Sequence, residues 1–201
     1  MNVRHFVKPF RFSAVALLLI GGSPSLALAQ GDHSHGGAVQ QQTLTLDQKA
    51  KAEALINAVR EATEQFKDPA AAEAAGYGLT FGCVSGGDYG AMGLHFVNGP
   101  LVADGELDVT RPEIILYEPL PSGRARITGA DYLVLADAWN SKHAEPPKLL
   151  GQLFHFFDSP NRFGLPPFYT LHVWAWKENP NGSFTNWNPN VSCDAFVEQD
   201  R

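Results

Sequence analysis

The chain has 201 residues, of which 44% are hydrophobic and 18% charged. That is enough apolar material for one sizeable core and too much for a disordered chain. Its formal net charge is -6, and such a surface repels phosphate backbones, so nucleic acid is excluded as an expected partner.

Residues 1–29 read as a secretory signal peptide. A basic start (Arg4, Lys8, Arg11) precedes an apolar run from Ala14 to Ile20 and the small-residue pattern Ala27-Leu28-Ala29, the three parts of a cleavable leader. Cleavage after Ala29 leaves 12 of the 15 basic side chains against 21 acidic ones, a mature charge of -9. The apolar run is shorter than the ~20 residues a spanning helix needs, and no later segment is apolar enough, so an integral membrane protein is not expected. The expected location is periplasmic or secreted, where disulfides persist. Cys83 and Cys193 stand 110 positions apart with no CxxC spacing. A disulfide is the simplest use of such a pair, worth ~4 to 5 kcal/mol by the chain-entropy argument. A redox dithiol or thiolate metal site is the alternative.

Residues 30–43 form a polar, Gly- and Gln-rich stretch containing His33 and His35. It reads as a flexible solvated arm, although two imidazoles can also catch a transition metal. Residues 44–201 are expected to form one globular domain. Thr45 and Gln48 fit a capping box, and Ala52, Leu55, Ile56, Val59, Ala62 and Phe66 follow at helical spacing. Asp68-Pro69 opens a second short helix that Gly76 is placed to end. From Leu79 the pattern changes to short apolar runs between turn residues. Strands are expected over 79–84, 91–97, 112–118, 124–136, 149–156 and 169–177, with breaks that include Asn98-Gly99-Pro100. Helices first and strands after point to an α+β fold, with N-terminal helices packed on a curved antiparallel β-sheet or small β-barrel.

Two of these strands carry a histidine among apolar neighbours: His95 in Leu-His-Phe-Val and His172 in Leu-His-Val-Trp. A third ends on Glu118. Two imidazoles and a carboxylate suit a divalent transition metal, whether iron, manganese, zinc or copper. The alternative is that both histidines are core residues bonded to backbone and that Glu118 marks a strand end. Tyr117, Trp174 and Trp176 either wall a site for an apolar or aromatic small-molecule ligand or simply fill the core. Asp131 and Tyr132 are the candidate catalytic pair for proton transfer, but adjacent strand residues point to opposite faces, so only one can reach the site. Asp131 is also a candidate acceptor for the second ring nitrogen of a ligating histidine. His155 and His143 are weaker candidates. No nucleophile elbow, phosphate loop or dinucleotide fingerprint is present, which removes the hydrolase and nucleotide readings.

The set Ala74-Ala75-Gly76-Tyr77, Cys83, Met92-Gly93-Leu94-His95-Phe96-Val97-Asn98, Leu116-Tyr117-Glu118-Pro119 and Leu171-His172-Val173-Trp174-Ala175-Trp176, closing on Asn188-Pro189 and Cys193, resembles a family of exported bacterial proteins usually called hypothetical or uncharacterised. The resemblance spans nearly the whole mature domain and implies a single secreted domain. It implies no activity, and in the family pattern the position of Asp131 is more often Glu. The function classes that remain are a metal-dependent enzyme acting on a small organic molecule, a non-catalytic binding protein for a metal or apolar ligand, and a structural envelope protein.

Overall fold

The computed structural model of the chain describes residues 44–197. The expected signal peptide and the arm with His33 and His35 lie outside the described residues. Helix α1 (Leu46–Thr63) begins at a reciprocal cap, in which Thr45 Oγ1 accepts the Gln48 amide at 3.2 Å and Gln48 Oε1 accepts the Thr45 amide at 2.8 Å. Two otherwise orphaned amides are satisfied this way. Leu55 and Val59 are fully buried, one turn apart, and Phe66 continues the stripe from a 3₁₀ turn that follows the helix. Ile56 sits at the edge of the stripe and is only half-buried. Helix α2 (Pro69–Ala74) starts where the Asp68 side chain accepts the Ala70 amide.

The strands follow in chain order: β1 (Gly78–Ser85), β2 (Ala91–Val97), β3 (Ile114–Pro119), β4 (Ala125–Leu135), β5 (Lys148–Leu149), β6 (Gln152–Leu153), β7 (His155–Phe157) and β8 (Phe168–Val173). Six of them form one antiparallel sheet in the order β1-β2-β3-β4-β8-β7, strongly curled into half a barrel, and β5 and β6 form a separate hairpin. The fold is therefore α+β, with the helices N-terminal to the sheet.

Local chemistry explains where the elements depart from the expected strands. The break at Asn98-Gly99-Pro100 is the start of a helix, α3 (Gly99–Asp104), because Asn98 Oδ1 caps the Leu101 amide and Pro100 occupies the first turn. A second unexpected helix, α4 (Ala136–Asn140), follows directly on β4. The expected strand 149–156 is divided by a turn in which Leu150 and Gly151 both have positive φ. The last strand stops at Val173 and does not run on to Lys177, since the Ala175 amide bonds back to the Val173 carbonyl and turns the chain.

Alternation along the strands sends side chains to two faces. Leu94, Phe96, Ile115, Tyr117, Ala130, Tyr132, Leu171 and Val173 share their packing clusters with Leu55, Val59 and Phe66 on the helix side. The opposite face carries Ile114, Leu116 and Leu133 with Phe168, and Phe163 and Leu165 cover it from the loop between β7 and β8. The Cys83–Cys193 disulfide ties the C-terminal tail to β1.

Because Leu55 has no exposed surface while Ile56 lies at the margin, Leu55→Ala should cost about 2 to 5 kcal/mol in urea unfolding and Ile56→Ala distinctly less. Equal, small losses at both positions would mean that α1 is not docked through this stripe.

Candidate metal centre

Register brings three side chains of β2, β4 and β8 to one point on the face away from the helices. His95 pairs across to Leu116, Ile114 pairs with Asp131, and Asp131 pairs directly with His172. His95 and Asp131 are each 2% exposed and His172 is 3% exposed. One ligand-competent atom from each lies within 4.8 Å of the other two. The imidazole rings approach edge to face, with centroids 5.9 Å apart.

His95 is oriented by the backbone just before it. Gly93 has φ +89, and a Cβ there would lie 2.3 Å from the Tyr117 carbonyl oxygen, so only glycine permits this approach of β2 to β3. The Gly93 carbonyl accepts a hydrogen bond from His95 Nδ1 at 3.1 Å. A proton held on Nδ1 leaves the lone pair on Nε2, the usual way a ligating histidine is set.

His172 has no such partner. Both of its ring nitrogens are buried without a hydrogen bond. Nδ1 lies 3.5 Å from Asp131 Oδ1, close enough for an electrostatic contact, yet this contact is too long and poorly aligned to satisfy the nitrogen as a hydrogen bond. Asp131 Oδ1 instead accepts the Thr170 hydroxyl at 2.5 Å. A buried polar atom left unpaired costs ~1 to 3 kcal/mol, so the site is unfavourable until something supplies the missing partner.

Burial also sets the charge states. Desolvation lowers His95 to about 4, with His172 beside it as a further cause, and lowers His172 to about 3. Desolvation raises Asp131 to about 6, against the Thr170 hydrogen bond that favours its charged form. At neutral pH the cluster is therefore two neutral imidazoles and one carboxylate, the forms that ligate metals. Two metal–nitrogen bonds of about 2 Å each span about 4 Å, so ligand atoms at the observed separation need to close by less than ~1 Å around an ion. The remaining walls are Phe81, Met92, Ile114, Leu133, Phe157, Phe163, Leu165, Phe168 and Thr170, and the space among them is about 10 Å³. That is close to the room needed by one water or one ion. A buried His/Asp/His group able to bind a metal is thus present.

The other sequence candidates lie elsewhere. Glu118 is two positions further along β3 than Leu116, the partner of His95, and accepts Lys177 Nζ at 2.6 Å, Arg126 at 2.6 Å and the Ser192 amide at 3.2 Å. Those partners use its charge at the strand end, and Asp131 takes the place beside the two histidines that was expected for Glu118. Tyr132 points to the helix side, as alternation requires beside Asp131, and its hydroxyl donates to the Val109 carbonyl. Tyr117 likewise donates to the Phe66 carbonyl. Trp176 donates to Thr63 Oγ1 and packs in the helix-side core, because the turn at Ala175 ends the alternation that would have kept it with His172. Trp174 alone borders the centre: its ring is 6.1 Å from that of His172, and its Nε1 donates to the Thr185 carbonyl. His155 is exposed on β7 and bonds Asn186.

Several wall residues are not evident from sequence. Thr170 is found by counting two back from His172 along the same face. Met92 belongs by simple alternation with Leu94, and only the left-handed backbone of Gly93 turns it toward the site. Phe81 and Phe163 meet there from opposite ends of the sheet, with ring centroids 5.3 Å apart, a contact of 82 positions' separation that no local pattern announces.

The contribution of the two histidines has a definite sign. The unfolded chain protonates both imidazoles near 6.5 while the folded chain resists until about 4 and about 3, so their contribution is lost as pH falls through that window. Asp131, raised by burial from 3.8 to about 6, and Glu113, raised by burial from 4.5 to about 8, act oppositely and gain stability as pH falls, two groups against two. His172→Leu should raise the neutral-pH stability of the metal-free protein by about 1 to 3 kcal/mol, and relative to the parent its advantage should grow as pH is lowered from 6.5 toward 4; a variant less stable than the parent would show that His172 is already satisfied. Comparison of the chain with protein-family models, with curated proteins and with solved structures finds no match.

Proposed function

We propose that this is an exported protein that holds one transition-metal ion between His95, Asp131 and His172. The observation that carries the proposal is the buried imidazole of His172, with both nitrogens unpartnered and two further donors within 4.8 Å. An ion supplies one partner for all three groups at once. The disulfide and the leader-like first 29 residues support a periplasmic or secreted location. Two of the segments that carry the resemblance to exported bacterial proteins, Met92–Asn98 and Leu171–Trp176, each provide one of the imidazoles.

Space of about 10 Å³ suits an ion or a water rather than an organic substrate. That favours binding of the metal over turnover of a small molecule, and Tyr132, facing the helices, is no longer placed to take part in chemistry at this point.

The test is elemental analysis of the mature protein, purified from a periplasm without a polyhistidine tag. It should carry one metal ion per chain, and His172→Leu should carry none while remaining folded. Folded parent protein that neither retains nor takes up a stoichiometric ion would overturn the proposal.

A further inference from the structure

Met92 is 2% exposed and lines the same cavity as His95, Asp131 and His172, yet it belongs to none of the apolar clusters among the described residues. Its thioether is a soft, uncharged donor, of the kind that selects copper(I) over hard cations.

Charge around the cavity points the same way. Asp131 is the one carboxylate in the wall. Glu118 is neutralised elsewhere by Lys177 and Arg126. A cation flanks the outer wall, since the Arg162 guanidinium lies 5.9 Å from the centre of the Phe163 ring and 5.6 Å from that of Trp187, and Phe163 is itself part of the wall. The buried Glu113 carboxyl, which accepts the amide of the wall residue Leu133, is pushed up by burial to about 8 and so is mostly uncharged at neutral pH. A divalent ion beside a single carboxylate leaves one net positive charge in an apolar enclosure with Arg162 close by. A monovalent ion with Asp131 is neutral. Since an uncompensated buried charge is strongly unfavourable, the surroundings favour the monovalent ion.

We propose that the site selects copper(I), bound by His95, His172 and Asp131 with the Met92 thioether as the soft donor. This rests on the metal reading above and goes beyond it in naming the ion and a fourth ligand.

Metal-free mature protein would be titrated anaerobically with copper(I) held by a chromophoric chelator, and in parallel with zinc(II). Ascorbate as the reductant, in place of a thiol or phosphine, keeps the Cys83–Cys193 bond intact. Copper(I) should displace zinc(II) stoichiometrically, and X-ray absorption of the copper-loaded protein should show a sulfur neighbour beside two imidazoles. Met92→Leu conserves volume; it should lose the sulfur neighbour and weaken copper(I) by about tenfold or more, with zinc(II) affinity nearly unchanged. Retention of zinc(II) against copper(I), or a copper spectrum without sulfur in the parent, would overturn the copper assignment and leave the metal site standing. Failure of both ions to bind would remove the site itself.

Discussion

His172 is buried on both sides of its ring and finds no protein atom to bond, and the arrangement around it follows from that constraint. Transfer of an imidazole into an apolar interior is tolerated when both nitrogens are satisfied. Here His172 pairs with Asp131 of β4 on one side and has the rings of His95 and Trp174 against its own, which leaves it 3% exposed. Its direct neighbour Asp131 is committed to Thr170, and His95 is committed through Nδ1 to the Gly93 carbonyl. Each of these groups has one capacity used and another directed at the same small space. Such a half-satisfied polar cluster is worse for stability than an apolar core of equal volume, unless a ligand completes it.

The C-terminal tail braces the strands on which the cluster sits, while the loop between β7 and β8 covers it. Trp174, immediately past β8, packs with Ala91, Val191 and Cys193. The Ala91–Asn188 bridge and the disulfide hold that tail against β1 and β2. Glu118 contributes from the outside: its buried carboxylate joins the exposed Arg126 on β4, the half-buried Lys177 past β8 and the Ser192 amide. These contacts link β3 and β4 to the chain past β8 and to the tail. Glu118, expected beside the two histidines, thus ties the tail to the sheet instead.

Much of the architecture was legible because it depends on local chemistry. The capping box at Thr45, the Asp68-Pro69 helix start, the strand 91–97 and the pairing of two isolated cysteines are all set by nearest neighbours or by compartment. His95 and His172 stood out for a similar reason, as lone polar groups in apolar strands. The third member of the cluster was not legible, because it depends on register: the sequence offers both Glu118 and Asp131 at strand parity, and only the pairing of Ile114 with Asp131 decides between them. Trp176 misled for a related reason, since a single backbone bond at Ala175 reversed the face on which it sits. The Phe81–Phe163 contact and the turn of Met92 toward the cavity come from the curl of the sheet and from one left-handed glycine, neither of which alternation conveys.

The central claim, that the unpartnered ring of His172 is a metal ligand, is tested most directly by long-range proton–nitrogen NMR of the histidine rings. Spectra of metal-free protein would be compared with spectra after one equivalent of a diamagnetic ion, copper(I) or zinc(II). The account predicts that one ring nitrogen of His172 and the Nε2 of His95 shift to metal-bound positions together, while His95 Nδ1 keeps its proton and the rings of His143 and His155 are unmoved. Unchanged His172 nitrogens in the presence of a stoichiometrically bound ion would contradict it.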